Sequence, residues 1–113
     1  MVHDDAGHHS QLLKGLLDMS LLAVVSSGPS YGYEMVRQLN ERGLEVAGET
    51  SIYPVLRRLK KQELVESYLE DSPAGPARKY YRITAAGKDL LAEWVEDWQT
   101  VRNGVDDVLR DRK

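Results

Sequence analysis

The sequence predicts a mainly α-helical protein with one small β-hairpin and a long C-terminal helix. Over most of the chain, apolar residues recur every three or four positions, as they do in helices that bury one face. Between residues 64 and 83 the pattern changes to two short runs that contain tyrosine, separated by a segment dense in Pro, Ser and Gly, as in a hairpin. The 113 residues can form one domain with a small core, which would gain stability from association.

The N-terminal part of the chain predicts an arm and two helices. Residues 1–10 are polar and unpatterned, so we expect a mobile arm. Residues 11–27 carry apolar side chains at helical spacing, and a Ser-Ser-Gly-Pro run ends this first helix. Ser30 can cap a second helix and Gly43 is placed to end it. Residues 44–46 are apolar enough for an edge strand but too short for more.

A third helix with two chemically different faces is predicted between residues 48 and 61. Pro54 favours a late start near Ser51, because only the first turn of a helix has no amide hydrogen bond to lose. A cationic helix suits the DNA major groove, which admits a helix and has phosphates on both rims. A solvated surface helix would explain the same pattern equally well. The apolar side contains Ile52, Val55, Leu56 and Leu59, and the opposite side contains Pro54, Arg57, Arg58 and Lys61.

The remaining sequence predicts a hairpin and a final helix. The strands are expected at residues 64–70 and 78–83, with a long tip at 71–76. Thr84 can cap a helix over residues 85–110, whose apolar positions are alternately four and three apart. Such spacing, about 3.5 on average, is typical of a coiled-coil seam. The seam positions are Gly87, Leu91, Trp94, Trp98, Val101, Val105 and Val108.

The order of these elements is that of a winged helix-turn-helix followed by a long C-terminal helix. We therefore divide the chain into the arm at 1–10, a winged helix-turn-helix DNA-binding domain at 11–84 and a C-terminal dimerisation helix at 85–113. A winged helix used purely for protein contact, without DNA binding, is the alternative.

Charge and composition limit the classes of function that the protein can have. The net charge is −3, yet residues 53–83 contain seven basic and four acidic residues, and the segments on both sides are acidic. A single positive region favours one docking orientation on nucleic acid. The absence of cysteine excludes a disulfide framework, thiolate catalysis and cysteine zinc sites. With no long apolar run and no signal peptide, we expect a cytoplasmic protein without a membrane partner.

The sequence has few features that indicate catalysis or metal binding. It has no glycine-rich phosphate loop, and its histidines, His3, His8 and His9, all lie in the predicted arm. A metal site formed by His8 and His9 with Asp4 or Asp5 is conceivable, although adjacent histidines in an arm are more often incidental. We therefore expect no enzyme activity, no cofactor and no metal.

Three motifs resemble the PadR family of bacterial transcriptional regulators. They are residues 28–35, 51–59 and 78–87, which read GPSYGYEM, SIYPVLRRL and RKYYRITAAG. The short chain resembles the compact subgroup with a single C-terminal helix. The resemblance implies a homodimeric winged-helix repressor on a palindromic operator, with the third helix for recognition and the hairpin as the wing. Two departures are Ser51, where the family usually has Thr, and residues 62–64, which replace a glycine-containing turn.

Residue types suggest individual contacts to the double-stranded operator. The planar fork of Arg57 suits a guanine edge, while Arg58 and Lys61 suit phosphates. At the predicted helix start, Thr50 and Ser51 can both cap the helix and donate to a phosphate. The other candidates are Tyr53 and Pro54 for a thymine methyl, Tyr33 for a phosphate, and Arg78, Lys79 and Tyr80 on the hairpin.

Two of these assignments have alternatives within the protein. Tyr31 and Tyr33 can both be core residues at the start of the second helix. Arg82 fits a salt bridge inside the domain as well as it fits a DNA contact.

The seam of the last helix predicts a homodimer. Trp94 and Trp98 lie one turn apart on it, and interface core is the simpler explanation for both. The family resemblance implies in addition that flat aromatic or cationic effectors bind at the dimer junction, where Trp98 holds the matching position. Trp94 and Trp98 are thus the candidates for a planar aromatic effector. The dimerisation candidates are Leu16, Leu91, Trp94, Trp98, Val101, Val105 and Val108.

Overall fold

The computed structural model describes residues 5–113, with side chains from Gly7 onward. Helices and strands follow the predicted order, with one additional helix at the N-terminus and one additional short strand. The elements are α1 (Asp5–Lys14), α2 (Leu17–Ser26), β1 (Ser30–Tyr31), α3 (Gly32–Glu41), α4 (Glu49–Lys61), β2 (Val65–Ser72), β3 (Gly75–Ile83) and α5 (Ala85–Arg110).

The N-terminal region differs from the prediction. Residues 5–10 were expected to belong to a mobile arm but form the first turns of α1, while residues 1–4 lie outside the described part of the chain. The single helix expected over residues 11–27 is two helices, separated by a tight turn in which the Leu16 amide donates to the Leu13 carbonyl at 2.9 Å. Gly15 lies in this turn, and glycine lowers the helix propensity there.

The core lies between α2, α3, α4 and the sheet. The apolar side predicted for the third helix is confirmed, because Ile52, Val55, Leu56 and Leu59 of α4 are all buried. Helix α2 packs against α4, β3 and α5, and α3 packs against α2 and α4. The buried residues from these other elements include Leu17, Leu21, Leu22, Val25, Met35, Leu39, Val65 and Tyr81.

The third strand of the sheet comes from a different segment than predicted. Ser30, expected to cap a helix, lies in β1, which pairs with β3 as Ser30↔Tyr81, and Tyr31 is the N-cap of α3. Residues 44–46 do not form the expected edge strand. The Asn40 side chain instead accepts from the Val46 amide at 2.6 Å and donates to the Val46 carbonyl at 3.1 Å. These two hydrogen bonds take the place of a strand partner.

Helix α4 starts earlier than predicted. Its N-cap is Gly48, so Pro54 is the sixth helical residue instead of lying in the first turn. Pro54 cannot donate to the carbonyl of Thr50, but both residues are exposed and water can satisfy that carbonyl. At the other end, Glu63 adopts a φ of 61°, the left-handed conformation that normally favours glycine.

The hairpin has longer strands and a shorter tip than predicted. Strands β2 and β3 stay paired out to Ser72↔Gly75, with a bulge between Glu70 and Ser72, so only Pro73 and Ala74 form the turn. The sheet order is β1-β3-β2.

Helix α5 confirms its predicted start and length. The Thr84 hydroxyl accepts from the Gly87 amide at 3.0 Å and donates to the Glu63 carbonyl at 2.8 Å. A side chain at Gly87 would have its Cβ only 2.2 Å from the Leu64 carbonyl oxygen, so this glycine lets α5 approach the hairpin.

The distal part of α5 extends away from the rest of the molecule. The radius of gyration is 16.1 Å, with extents of 56 × 34 × 22 Å. A compact domain of this length would have a radius of about 13 Å. None of the helices in the described residues is long and apolar enough to cross a membrane.

Candidate nucleic-acid interface

The outer face of α4 is exposed and basic. Arg57 and Lys61 lie opposite the buried side of the helix, with Thr50, Tyr53 and Pro54 on the same exposed face. Among the residues that the structure describes, no carboxylate forms an ion pair with either Arg57 or Lys61. Both cations are therefore available to an anionic partner.

Two polar residues of α4 have roles that differ from the sequence-based expectation. Ser51 is half-buried, and the helix N-cap has no side-chain hydrogen bond, so neither Thr50 nor Ser51 caps the helix. Arg58 donates to the carboxylate of Asp18 at 2.6 Å. This ion pair links α4 to α2 and restrains the guanidinium that we expected at a phosphate.

The start of α4 packs closely against the start of α3. The hydroxyl of Tyr53 donates to Oε1 of Glu49 at 2.9 Å. Both groups lie over Gly32, where an added Cβ would be 2.8 Å from the carboxylate and 2.9 Å from the hydroxyl. Burial, followed by the hydrogen bond and the negative charge of Glu49, raises the pKa of Tyr53 and so favours the protonated hydroxyl that donates to Glu49.

A strip of tyrosines runs from the hairpin across β1 to the start of α3. Tyr31 lies 6.5 Å from Tyr33 and 5.2 Å from Tyr80 between ring centroids, and Tyr80 lies 5.9 Å from Tyr68. Tyr33, at one end of the strip, is exposed. The alternative that Tyr31 and Tyr33 are both core residues is therefore wrong for Tyr33, while Tyr31 is half-buried.

Two arginines lie on this tyrosine strip. The guanidinium of Arg78 is 4.6 Å from the Tyr31 ring centroid and donates to its hydroxyl at 3.1 Å. Arg82 lies 4.9 Å from the Tyr68 ring centroid and pairs with Glu66 at 2.9 Å, which is the intramolecular alternative considered for it. Lys79 is exposed on the opposite face of the strand. Arg78 and Lys79 thus lie at the end of the hairpin nearer its tip, and Arg82 lies near its base.

An open groove of about 460 Å³ connects the hairpin with α4. It brings together several of the DNA-contact candidates, namely Tyr33, Tyr53, Arg78 and Lys79, although these come from distant parts of the sequence. Arg57 does not line this groove; its charge instead acts on Tyr81, where it partly offsets the rise that burial causes in the pKa. The groove is lined by Tyr31, Gly32, Tyr33, Glu49, Tyr53, Ala77, Arg78 and Lys79.

The dimerisation and effector candidates fall into two groups. Leu91 and Trp94 are half-buried and pack against the core of their own chain. Val101, Val105 and Val108 are 58%, 51% and 72% exposed. Trp98 is half-buried between the two groups, and Leu16 is half-buried at the break before α2. Exposed apolar residues that the sequence analysis missed on α1 and α5 are Leu12, Val95 and Leu109.

His9 makes a local contact and belongs to no metal cluster in the part of the chain that is described. Nε2 of His9 lies 2.8 Å from the Leu44 carbonyl and 4.0 Å from the carboxylate of Glu45. No group of three potential metal ligands is found among the described residues. The metal alternative also involved Asp4, which lies outside them.

Sequence reasoning missed two carboxylates at the interface. Glu49 precedes Tyr53 by four residues, a spacing that places two side chains together on a helix, and this signal was available. Asp18 is 40 positions from Arg58, and nothing local links them.

Comparison with known proteins places the chain in a family. The PadR-like family of transcriptional regulators matches residues 21–93. The crystal structure of a PadR-like transcriptional regulator from Bacillus cereus has 40% sequence identity and a TM-score of 0.81, over 90% of this chain and 99% of that one. A PadR family regulator from Eggerthella lenta has 31% identity and a TM-score of 0.81, over 95% and 93% of the two chains.

An uncharacterised protein of Lysinibacillus sphaericus is also similar in sequence. It is 36% identical over 100 residues, which are 86% of this chain and 91% of that protein. Family match, fold and length all agree, and the chain belongs to the PadR-like family of transcriptional regulators.

Proposed function

We propose that the protein is a ligand-responsive repressor that binds a palindromic operator as a homodimer. The observation that carries this proposal is the exposed basic face of α4, on which Arg57 and Lys61 have no acidic partner among the described residues. An exposed cationic helix face in an otherwise acidic protein concentrates positive potential in one region, which is well matched to the phosphates of DNA.

Helix α4 acts as the recognition helix in the major groove. Arg57 lies at the centre of the exposed face, where its guanidinium can form two hydrogen bonds with O6 and N7 of guanine. Lys61 and Thr50 contact phosphates on the rims of the groove. Tyr53 and Pro54 present apolar surface to a thymine methyl.

The hairpin acts as the wing. Arg78 and Lys79 hold the sugar-phosphate backbone beside the groove that α4 occupies, and the exposed hydroxyl of Tyr33 adds a further phosphate contact. Tyr80 supports Arg78 indirectly, because its ring packs at a tilt against Tyr31, over which the Arg78 guanidinium lies. Arg58 orients α4 through Asp18, so its effect on DNA is through the position of the helix.

The distal half of α5 forms the dimer interface. Val101, Val105 and Val108 follow the coiled-coil spacing and are exposed in the isolated chain, so a second copy would remove them from water. Two recognition helices would then meet half-sites separated by one helical turn of DNA, about 10 base pairs, or a multiple of it.

The effector site lies between the two subunits at Trp98. Trp94 is already packed against the core of its own chain, which leaves Trp98 as the indole for a planar aromatic ligand. A ligand that binds two spacings of the subunits unequally changes operator affinity. We place this regulation in the cytoplasm, where the DNA is.

The salt dependence of binding tests the proposal. The parent protein is titrated with a duplex selected from a randomised pool and with a scrambled duplex, at salt concentrations between about 50 and 200 mM. We expect selective binding that weakens steeply with salt, with a slope set by the number of phosphates contacted. A winged helix that serves protein contact alone would show neither selectivity nor this salt slope.

A further inference from the structure

Glu49 is an acidic residue within the surface proposed to face DNA. It is the first residue of α4 and is half-buried. The hydroxyl of Tyr53 donates to its Oε1 at 2.9 Å, and the same oxygen packs over Gly32 at the start of α3. The carboxylate is therefore held in one place by a hydrogen bond and by close packing.

The position of this carboxylate is electrostatically favourable in the free protein. It lies at the N-terminus of α4 and against the first residue of α3, and helix N-termini favour negative charge. Oε1 accepts from Tyr53, whereas Oε2 has no hydrogen-bond partner among the residues that the structure describes. One acceptor oxygen is thus left at the edge of the groove between the hairpin and α4, which Glu49 lines.

The chemistry of an ionised carboxylate limits what it can accept. It repels phosphates, which the neighbouring Arg78 and Lys79 attract instead, and it repels the acceptor edges of guanine and thymine. In the major groove the only donors are the amino groups of cytosine and adenine. Adenine has the N7 acceptor beside its amino group, so cytosine is the better match for a carboxylate.

We infer that Glu49 is a specificity-determining residue that selects cytosine at one position of each half-site by accepting a hydrogen bond from its N4 amino group. The inference rests on the proposed function, since it requires α4 to lie in the major groove. Base edges are also within reach of the N-terminal residues of a recognition helix, and Glu49 is the first residue of α4.

Glu49 and Arg57 read separate base pairs. They are eight residues apart on α4, and at 1.5 Å per residue this is about 12 Å along the helix. A change at Glu49 therefore alters the preference at one operator position and leaves the Arg57 position unchanged.

The variant Glu49→Gln tests this inference. Glutamine has the same shape and its carbonyl still accepts from Tyr53, so its amide takes the place of Oε2 and presents a donor where the parent presents an acceptor. Parent and variant each select duplexes from a randomised pool, and competition titrations follow on point variants of the parent's operator. We expect the preference for cytosine to be lost at one symmetric position, where bases that present an acceptor are favoured instead, with a change in relative affinity of about tenfold.

Glu45→Gln is the matched control. It removes the same charge from an exposed residue in the loop just before α4 and should leave every base preference unchanged. If Glu49→Gln retains the parent's preference at all positions, or strengthens binding to all duplexes alike, Glu49 contributes charge only and the inference is wrong. Failure of the proposed function looks different, because the parent itself would then select no duplex sequence.

Discussion

The two halves of α5 have the same sequence pattern and opposite surroundings. Its first part, from Gly87 to Trp94, packs against the hairpin and the core of its own chain. Its second part continues the apolar spacing through Val101, Val105 and Val108, and there the side chains are exposed. Periodicity therefore predicts a buried face without specifying which chain buries it. The first part of α5 completes the winged domain, and we propose that the second part packs against another subunit.

Truncation after Asp97 should have the largest effect. It removes the distal seam but keeps Leu91 and Trp94, which pack against the core, so the winged domain should remain folded. We expect a monomer whose operator affinity is lower by about a hundredfold or more, because two linked half-site contacts become one. Light scattering and operator titration measure the two effects.

A shorter truncation provides the control for this experiment. Removal of residues 111–113, which follow the end of α5, should leave both the dimer and the affinity intact. Retention of the dimer after the cut at Asp97 would contradict our assignment of the interface.

One substitution placed in each half of α5 should have opposite effects on stability. Gly87→Ala places a methyl group against the Leu64 carbonyl and should lower the free energy of unfolding by about 1 to 3 kcal/mol. Gly104→Ala meets nothing in its own chain and should raise helix stability by about 0.5 to 1 kcal/mol. Denaturant unfolding at fixed protein concentration compares them. Equal effects of the two substitutions on the free energy of unfolding would contradict the difference that we propose between the two halves of α5.

Trp98 lies between the two halves of α5, and Trp98→Ala tests whether this residue binds an effector. We expect the variant to remain a dimer with reduced stability, and to lose both fluorescence quenching by planar aromatic compounds and the response of the DNA complex to them. Trp94→Phe is the control, because it leaves Trp98 as the single tryptophan and should retain quenching. If Trp98→Ala responds as the parent does, or if no planar compound quenches the parent, Trp98 is interface core only.

Glu63→Gly should have the smallest effect. Glu63 has a φ of 61°, and its amide donates to the Lys60 carbonyl at the end of α4. Relief of the left-handed strain should stabilise the fold by about 1 kcal/mol, less the backbone entropy that glycine loses on folding. Thermal unfolding measures the change, and a loss of stability would show that Glu63 makes a compensating contact.

The features that the sequence predicted correctly depend on local patterns. The buried side of α4 follows from helical spacing alone, and Thr84 caps α5 through a residue only three positions away. The order of the elements and the position of the hairpin also follow from periodicity and turn residues, and the resemblance of three motifs to one family implied the role of the hairpin as the wing. The exposed outer face of α4 then follows from the same spacing, as the opposite side of a docked helix.

The features that sequence analysis missed depend on contacts between distant segments. Strand β1 forms because Ser30 and Tyr31 meet β3, about 50 positions later. Residues 44–46 had strand-like composition, but the Asn40 side chain satisfies the Val46 backbone instead. The partner of Arg58 is 40 positions away and could not be found from spacing. Residue spacing cannot predict such contacts, because each depends on how distant segments of the chain pack together.

If the exposed face of α4 reads the operator, Arg57→Ala and Lys61→Ala should affect DNA binding in different ways. Competition titrations on one selected operator, its point variants and random DNA measure affinity and base preference together. We predict that Arg57→Ala loses about 1 to 3 kcal/mol of discrimination at one position, whereas Lys61→Ala weakens binding to all sequences and reduces the salt slope by about one. Equal losses on operator and random DNA for Arg57→Ala would contradict this role of the exposed face.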